Sequence, residues 1–260
     1  MEVDNYAPGT FCWAELGTTD QRAAKKFYSG LFGWDVNDMP MGPEDFYSML
    51  QSRGKDVAAL YRLRPERLAP AAPPHWLLYV STENVDATAA AVTAAGGKIL
   101  TGPLEVFDAG RVAVAQDPLG ATFGIWQARK HIGAQVRNEA NAVCWNELVT
   151  RDTATSSDFY NKVFGWKFQI KPGPMIYTEF HLNGQAGGGM FNMPSGMDAI
   201  EPHWLPYFAV EDCDAKVGKA RSLGGVILAP PEEILKVGRF ASIADPQGAA
   251  FSIIELHNQT

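Results

Sequence analysis

Hydrophobic and polar positions alternate along "FCWAEL", Phe11–Leu16, which predicts a β-strand. The period then changes. "TTD", Thr18–Asp20, offers side-chain oxygens for an N-cap. In "QRAAKKFYSGLF", Phe27 is spaced i, i+4 with Leu31, and Tyr28 with Phe32, which predicts a helix with an apolar stripe. Gly33 suits a left-handed C-cap, so "FGW" reads as a helix stop followed by return to a strand. "FYSMLQ" and "DVAALYR" predict two more short strands. After a Pro-rich stretch, "RPERLAPAAPP", the pattern restarts. "HWLLYV" is a strand, and "NVDATAAAVTAAGG" is an Ala-rich helix with a Gly-Gly stop. "KILTGPLEV", "RVAVAQD" and "ATFGIWQ" are strands, with a turn at "DPLG". The pattern is βαβββ, written twice.

All of it then recurs. "KFYSGLFGWDV" returns as "DFYNKVFGWKF", with Tyr28 and Tyr160 132 residues apart. "CWAEL" returns as "CWNEL", "PHWLLYV" as "PHWLPYF", and "GRVAVAQDPLGATFGI" as "GRFASIADPQGAAFSI". A period of about 130 residues is far beyond that of a solenoid and means two homologous domains. The expected boundaries are 8–128 and 141–257, with a linker at 129–140. The fold class is α+β: four βαβββ units forming two curved mixed sheets with helices on the outer faces, each sheet concave enough to form a cup. A duplicated chain can pair its domains internally as single-domain relatives pair as dimers, so a monomer with an internal pseudo-dimer, or a homodimer, is expected.

Composition narrows the function. With 46% hydrophobic residues in 260, two ordinary cores can form. Net charge is −7 with no basic run, which speaks against a nucleic-acid partner. No apolar run approaches the ~18 residues of a membrane span. "MEVDNYAPGT" lacks the features of a signal peptide, so a cytoplasmic location is expected. Cys12, Cys144 and Cys213 form no CxxC and read as buried thiols.

The paired βαβββ units, "FY…LFGW" and "GRxAxxxDPxGxxF" resemble the vicinal oxygen chelate superfamily, the group of glyoxalase I, extradiol dioxygenases and bleomycin-resistance proteins. "CWxEL…FY…FGW…PHW" resembles, more narrowly, a two-domain actinobacterial subgroup labelled glyoxalase-like or hydroxylase, which includes a mycobacterial culture-filtrate antigen. The resemblance implies four metal-ligand positions per domain. They fall on Trp13, near Ala59, on His75 and on Gly124, and in the second copy on Trp145, Gly189, His203 and Ser252. Only the histidines could bind a metal there as the family does, whereas a catalytic zinc typically needs three protein ligands. No metal and no other cofactor is therefore expected.

Strand alternation puts Trp13 with Glu15, and Trp145 with Glu147, on one face, which the resemblance assigns to the cup. Cys12, Ala14 and Leu16 are then expected to face the helix. Each Trp either fills its cup or offers a flat surface to a ligand. Each Glu is either a satisfied polar residue at the rim or an anchor and general base. His75 and His203 either bond locally at a strand start or serve as acid–base groups. Trp126, Tyr47 and Tyr177 join the candidate ligand-binding set. "GQAGGGM", Gly184–Met190, lacks a phosphate-loop ending and suggests close approach of a neighbour or ligand. Glu179 and His181, at i, i+2, share one strand face. Three functions stay open: a metal-free binder of a small, partly aromatic or carbonyl-containing molecule; a metal-independent hydroxylase- or lyase-type enzyme acting on a natural product or reactive carbonyl; and a divalent-metal enzyme with non-standard ligands.

Overall fold

The computed structural model describes residues 1–42, 45–64, 73–173, 176–197 and 199–257. Most of the Pro-rich stretch falls outside them. The first domain contains β1 (Phe11–Thr18), α1 (Gln21–Phe32), β2 (Asp35–Pro40), β3 (Phe46–Ser52) and β4 (Lys55–Arg62). It continues with β5 (His75–Ser81), α2 (Val85–Ala94), β6 (Lys98–Val106), β7 (Gly110–Gln116) and β8 (Thr122–Ala128). The second repeats the series as β9 (Val143–Thr150), α3 (Thr153–Phe164), β10 (Lys167–Lys171), β11 (Tyr177–Leu182) and β12 (Gln185–Asn192). It closes with β13 (His203–Ala209), α4 (Cys213–Ser222), β14 (Val226–Ile234), β15 (Gly238–Ala244) and β16 (Ala250–Leu256).

The caps are where the sequence puts them. The Asp20 carboxylate accepts from Ala23 N at 2.9 Å, and Gly33 at φ 74° ends α1. Asp152 and Gly165 do the same for α3. Each domain is one eight-stranded mixed sheet, ordered β2-β3-β4-β1-β5-β8-β7-β6 and β10-β11-β12-β9-β13-β16-β15-β14. The two βαβββ units of a domain join through their first strands, β1 with β5 and β9 with β13, both antiparallel.

The helices cover the faces opposite the cups, and these helical faces pack on each other in one continuous core. The repeated phrases make this junction. Trp76 Nε1 donates to Tyr28 Oη (3.1 Å), and Tyr28 Oη donates to Asp245 Oδ2 in the other domain (3.0 Å). The counterpart runs from Trp204 Nε1 to Tyr160 Oη (2.9 Å) and on to Asp117 Oδ2 (3.2 Å). The other oxygen of each aspartate accepts two backbone N–H groups, from the third residue of its own DPxG turn and from the residue after the glycine. Trp34 Nε1 reaches Asn141 O and Trp166 Nε1 reaches Gly9 O, again across the junction.

One expectation is corrected. Cys12 does not join Ala14 and Leu16 on the helix side. The β1–β5 register shifts between Phe11 and Trp13, and the extra residue of this bulge turns Cys12 into the cup-side cluster with Trp13. The glycines of "GQAGGGM" admit close neighbours, as expected: a Cβ at Gly188 would meet Asn146 O at 2.1 Å.

Candidate functional site

Each cup is built on the central pair of strands. Trp13 and Glu15 project from β1, Tyr79 from β5 opposite Trp13, and Tyr47 from β3. Trp13 Nε1 donates to Tyr47 Oη (3.0 Å), and Tyr47 Oη donates to Glu15 Oε2 (2.9 Å). Tyr79 Oη donates to the other oxygen, Oε1. The second cup repeats the quartet. Trp145 Nε1 donates to Tyr177 Oη (2.8 Å), Tyr177 Oη to Glu147 Oε1 (2.9 Å), and Tyr207 Oη to Glu147 Oε2 (2.7 Å).

Burial raises the pKa values of these groups. Desolvation pushes Glu15 up, partly offset by the tyrosine hydrogen bonds, and pushes Glu147 up to about 7. Desolvation and the adjacent glutamates hold Tyr47, Tyr79, Tyr177 and Tyr207 above the ordinary phenol range. A glutamate near neutrality, held by two phenols, can exchange a proton near physiological pH.

The structure thus brings together Trp13, Glu15 and Tyr47, and likewise Trp145, Glu147 and Tyr177. Tyr79 and Tyr207 complete the quartets and were missed. The signal lay in "HWLLYV" and "HWLPYF", where the tyrosine shares a face with the candidate histidine four residues earlier. His75 and His203 open β5 and β13, and their Nδ1 atoms lie 2.7 and 2.8 Å from the carbonyls of Pro73 and Glu201. Neither bonds to the quartet. Trp126 lines the first cup, with its Nε1 donating to His131 O (2.8 Å); Ile254 is its counterpart in the second.

The donor set suits a metal poorly. Trp13, Ala59 and Gly124, and Trp145 and Gly189, carry no metal-binding side chain. The tyrosines also take space a ligand would need. A Cβ at Gly124 would stand 2.0 Å from Tyr79 Cδ1, and one at Gly189 would stand 2.2 Å from Tyr177 Cε1. On β11, Glu179 Oε2 pairs with Lys171 Nζ (3.0 Å) and lies 3.3 Å from His181 Nε2, so a cation already engages that carboxylate. No group of three or more His, Cys, Asp or Glu side chains gathers among the described residues.

The cups differ in cover. Over the first runs the linker: Ala134 N donates to Cys12 O (2.8 Å), Tyr6 Oη to Ala134 O (2.6 Å), and the His131 ring meets Trp13 edge-on at 4.6 Å. Trp13 is 7% exposed, whereas Trp145 is half-buried. A surface cavity of about 240 Å³ is bordered by Asp56, Asp108, Lys130 and His131. No described helix is long and apolar enough to cross a membrane.

Comparison with known proteins agrees with this architecture. CFP32 of Mycobacterium tuberculosis, provisionally named a glyoxylase, is 41% identical over 255 residues, covering 96% of each chain. The anthracycline biosynthesis protein DnrV of Streptomyces peucetius is 35% identical over 266 residues, covering 98% of this chain and 96% of its own. Among solved structures, the Mn(II)-bound glyoxalase of Novosphingobium aromaticivorans superposes with a TM-score of 0.66 at 15% identity, over 95% of this chain and 82% of its own. The 2,2',3-trihydroxybiphenyl 1,2-dioxygenase of Sphingomonas wittichii does so with a TM-score of 0.67 at 13% identity, over 96% and 91%. The sequence signature of the family described as "Glyoxalase/Bleomycin resistance protein/Dioxygenase superfamily" matches residues 10–125 and 140–253. With both halves matched and both sheets built on paired βαβββ units, this chain belongs to the Glyoxalase/Bleomycin resistance protein/Dioxygenase superfamily.

Proposed function

We propose that the protein binds a small, partly aromatic or carbonyl-containing molecule in its concave cups, without a metal ion. The observation that carries this reading is the Trp–Tyr–Glu–Tyr quartet, which gathers an indole, two phenols and a glutamate on the face of each sheet away from the helices. An aromatic face stacks on flat rings, and a protonated glutamate or a phenol supplies a hydrogen bond to a carbonyl or hydroxyl. The relatives named for anthracycline biosynthesis support a polycyclic aromatic as the first ligand to try. Titration with hydroxyanthraquinones, followed by fluorescence, tests it. Saturable binding to metal-free protein that is weakened by Trp145→Ala is expected. Binding only after divalent metal is added would overturn it.

A second reading rests on Glu147, which burial pushes up to about 7. At that value it serves equally as acid or base in a metal-independent reaction. Glu147→Gln separates the two: a binder changes in affinity, whereas an enzyme keeps affinity and loses turnover. The histidines have no place in the quartet, so acid–base work in this reading falls to the glutamate and its phenols.

A further inference from the structure

The two cups share one quartet but differ in cover and rim. In the first, the linker lies against β1, the His131 ring packs edge-on against Trp13 at 4.6 Å and Trp126 at 5.9 Å, and Trp126 Nε1 is tied to the His131 carbonyl. Gly133 sits so close that a Cβ would stand 2.3 Å from Cys12 O. The surface cavity is lined by His131, Ile132 and Gly133 of this linker and not by Trp13, on which the His131 ring packs. In the second cup, Ile254 replaces Trp126, Trp145 is half-buried, and no described aromatic ring packs on it.

The rims diverge as well. Where the first cup has Met49 and Gln51 on β3, the second has Glu179 and His181 on β11, with Lys171 beside them. Glu179 stands in register with Gly189 and Gly189 with Glu147, in one row across the sheet. Val114 and Gly124 become Ser242 and Ser252, whose hydroxyls bond to each other at 2.9 Å. Tyr207 lies opposite Ser252 in the pairing of β13 with β16.

We infer that the second cup alone is the working site, for a flat aromatic molecule carrying a carbonyl or acidic substituent, and that the first is a sealed counterpart plugged by His131. This rests on the ligand-binding reading above. The aromatic body lies on Trp145. The substituent finds donors on the polar side that Lys171 and His181 provide. The first cup offers neither a partly exposed indole nor that rim.

Hydroxyl-radical footprinting read by mass spectrometry, with and without alizarin red S, a sulfonated dihydroxyanthraquinone, tests this on the intact chain. In the free protein Trp145 is expected to oxidise several-fold faster than Trp13. The probe is expected to slow oxidation of Trp145 and to leave Trp13 and Trp126 unchanged. His131→Ala keeps the backbone carbonyl that holds Trp126. It is expected to raise Trp13 oxidation while the probe still protects Trp145 alone, because the first cup keeps Met49 and Gln51 at its rim. Protection of Trp13 equal to that of Trp145 in the unmodified protein would overturn the asymmetry and leave the ligand reading standing. Protection of neither overturns the ligand reading and this inference with it.

Discussion

The ring of Tyr79 lies across Gly124, so close that a Cβ on the glycine would stand 2.0 Å from Tyr79 Cδ1. The same tyrosine donates to Glu15. Glycine is thus required at 124 for the quartet to close. Gly124→Ala is expected to displace the phenol and to destabilise the protein by about 1–3 kcal/mol, the usual cost of overpacking a core. In a Tyr79→Ala background the clash is gone, and the same change is expected to cost much less. Chemical denaturation of the four proteins measures the coupling; additive costs would show that ring and glycine do not conflict.

Glu147 gives a pH dependence whose sign follows from burial. Its value rises from 4.5 to about 7 on folding, so the folded chain holds a proton that the unfolded chain releases. The resulting stability is fully present below about pH 4.5 and is lost as pH rises through about 7, a difference of about 3 kcal/mol. Glu147→Gln presents the donor and acceptor of the protonated acid at every pH. Its melting temperature is expected to match the parent near pH 4.5 and to exceed it above pH 8. A gap independent of pH would place the titration elsewhere.

The junction between domains is expected to be sensitive to single hydroxyls. Tyr28→Phe leaves Trp76 Nε1 without its acceptor and Asp245 Oδ2 without its donor, all in buried surroundings. A loss of about 2 kcal/mol is expected, visible as a fall of about 4–8 °C in Tm. Tyr160→Phe is expected to do the same through Trp204 and Asp117. Calorimetry with one cooperative transition in the parent and a broadened or split one in the double variant would show that these bonds couple the domains.

Elemental analysis of protein purified without chelator checks the metal question directly. Less than a tenth of an equivalent of zinc, iron, manganese or nickel is expected, because Trp13, Ala59, Gly124, Trp145 and Gly189 donate nothing to a metal. One equivalent per domain, lost on His75→Ala or His203→Ala, would reverse that expectation.

Local features were legible in the sequence because local physics sets them. Asp20 and Gly33 bound α1 as their cap chemistry demands, and alternation places Trp13 and Glu15 on one face. Tyr47 and Tyr177 were read as site residues without their partners, since strand order decides which side chains reach a glutamate. Tyr79 carries no local mark for the same reason: it shares a strand face with His75, and only the pairing of β5 with β1 brings it to Glu15. Cys12 was misplaced because a one-residue bulge leaves no mark in a six-residue run. His131 was invisible: its role depends on where an irregular linker lies, and no periodicity encodes that.

The crossed Tyr–Asp bonds mean that each repeat carries a donor and an acceptor that are used only by the other. Tyr28 is spent on Asp245 and Tyr160 on Asp117, so an isolated half would lose both crossed bonds and bare the aromatic face that now packs on its sibling. Such halves are complementary rather than independent. A chain severed between its repeats and supplied as two polypeptides would reassemble as one particle. Sequence drift in either copy is therefore constrained by its sibling at the junction, while the cups, on the far faces, are free to diverge.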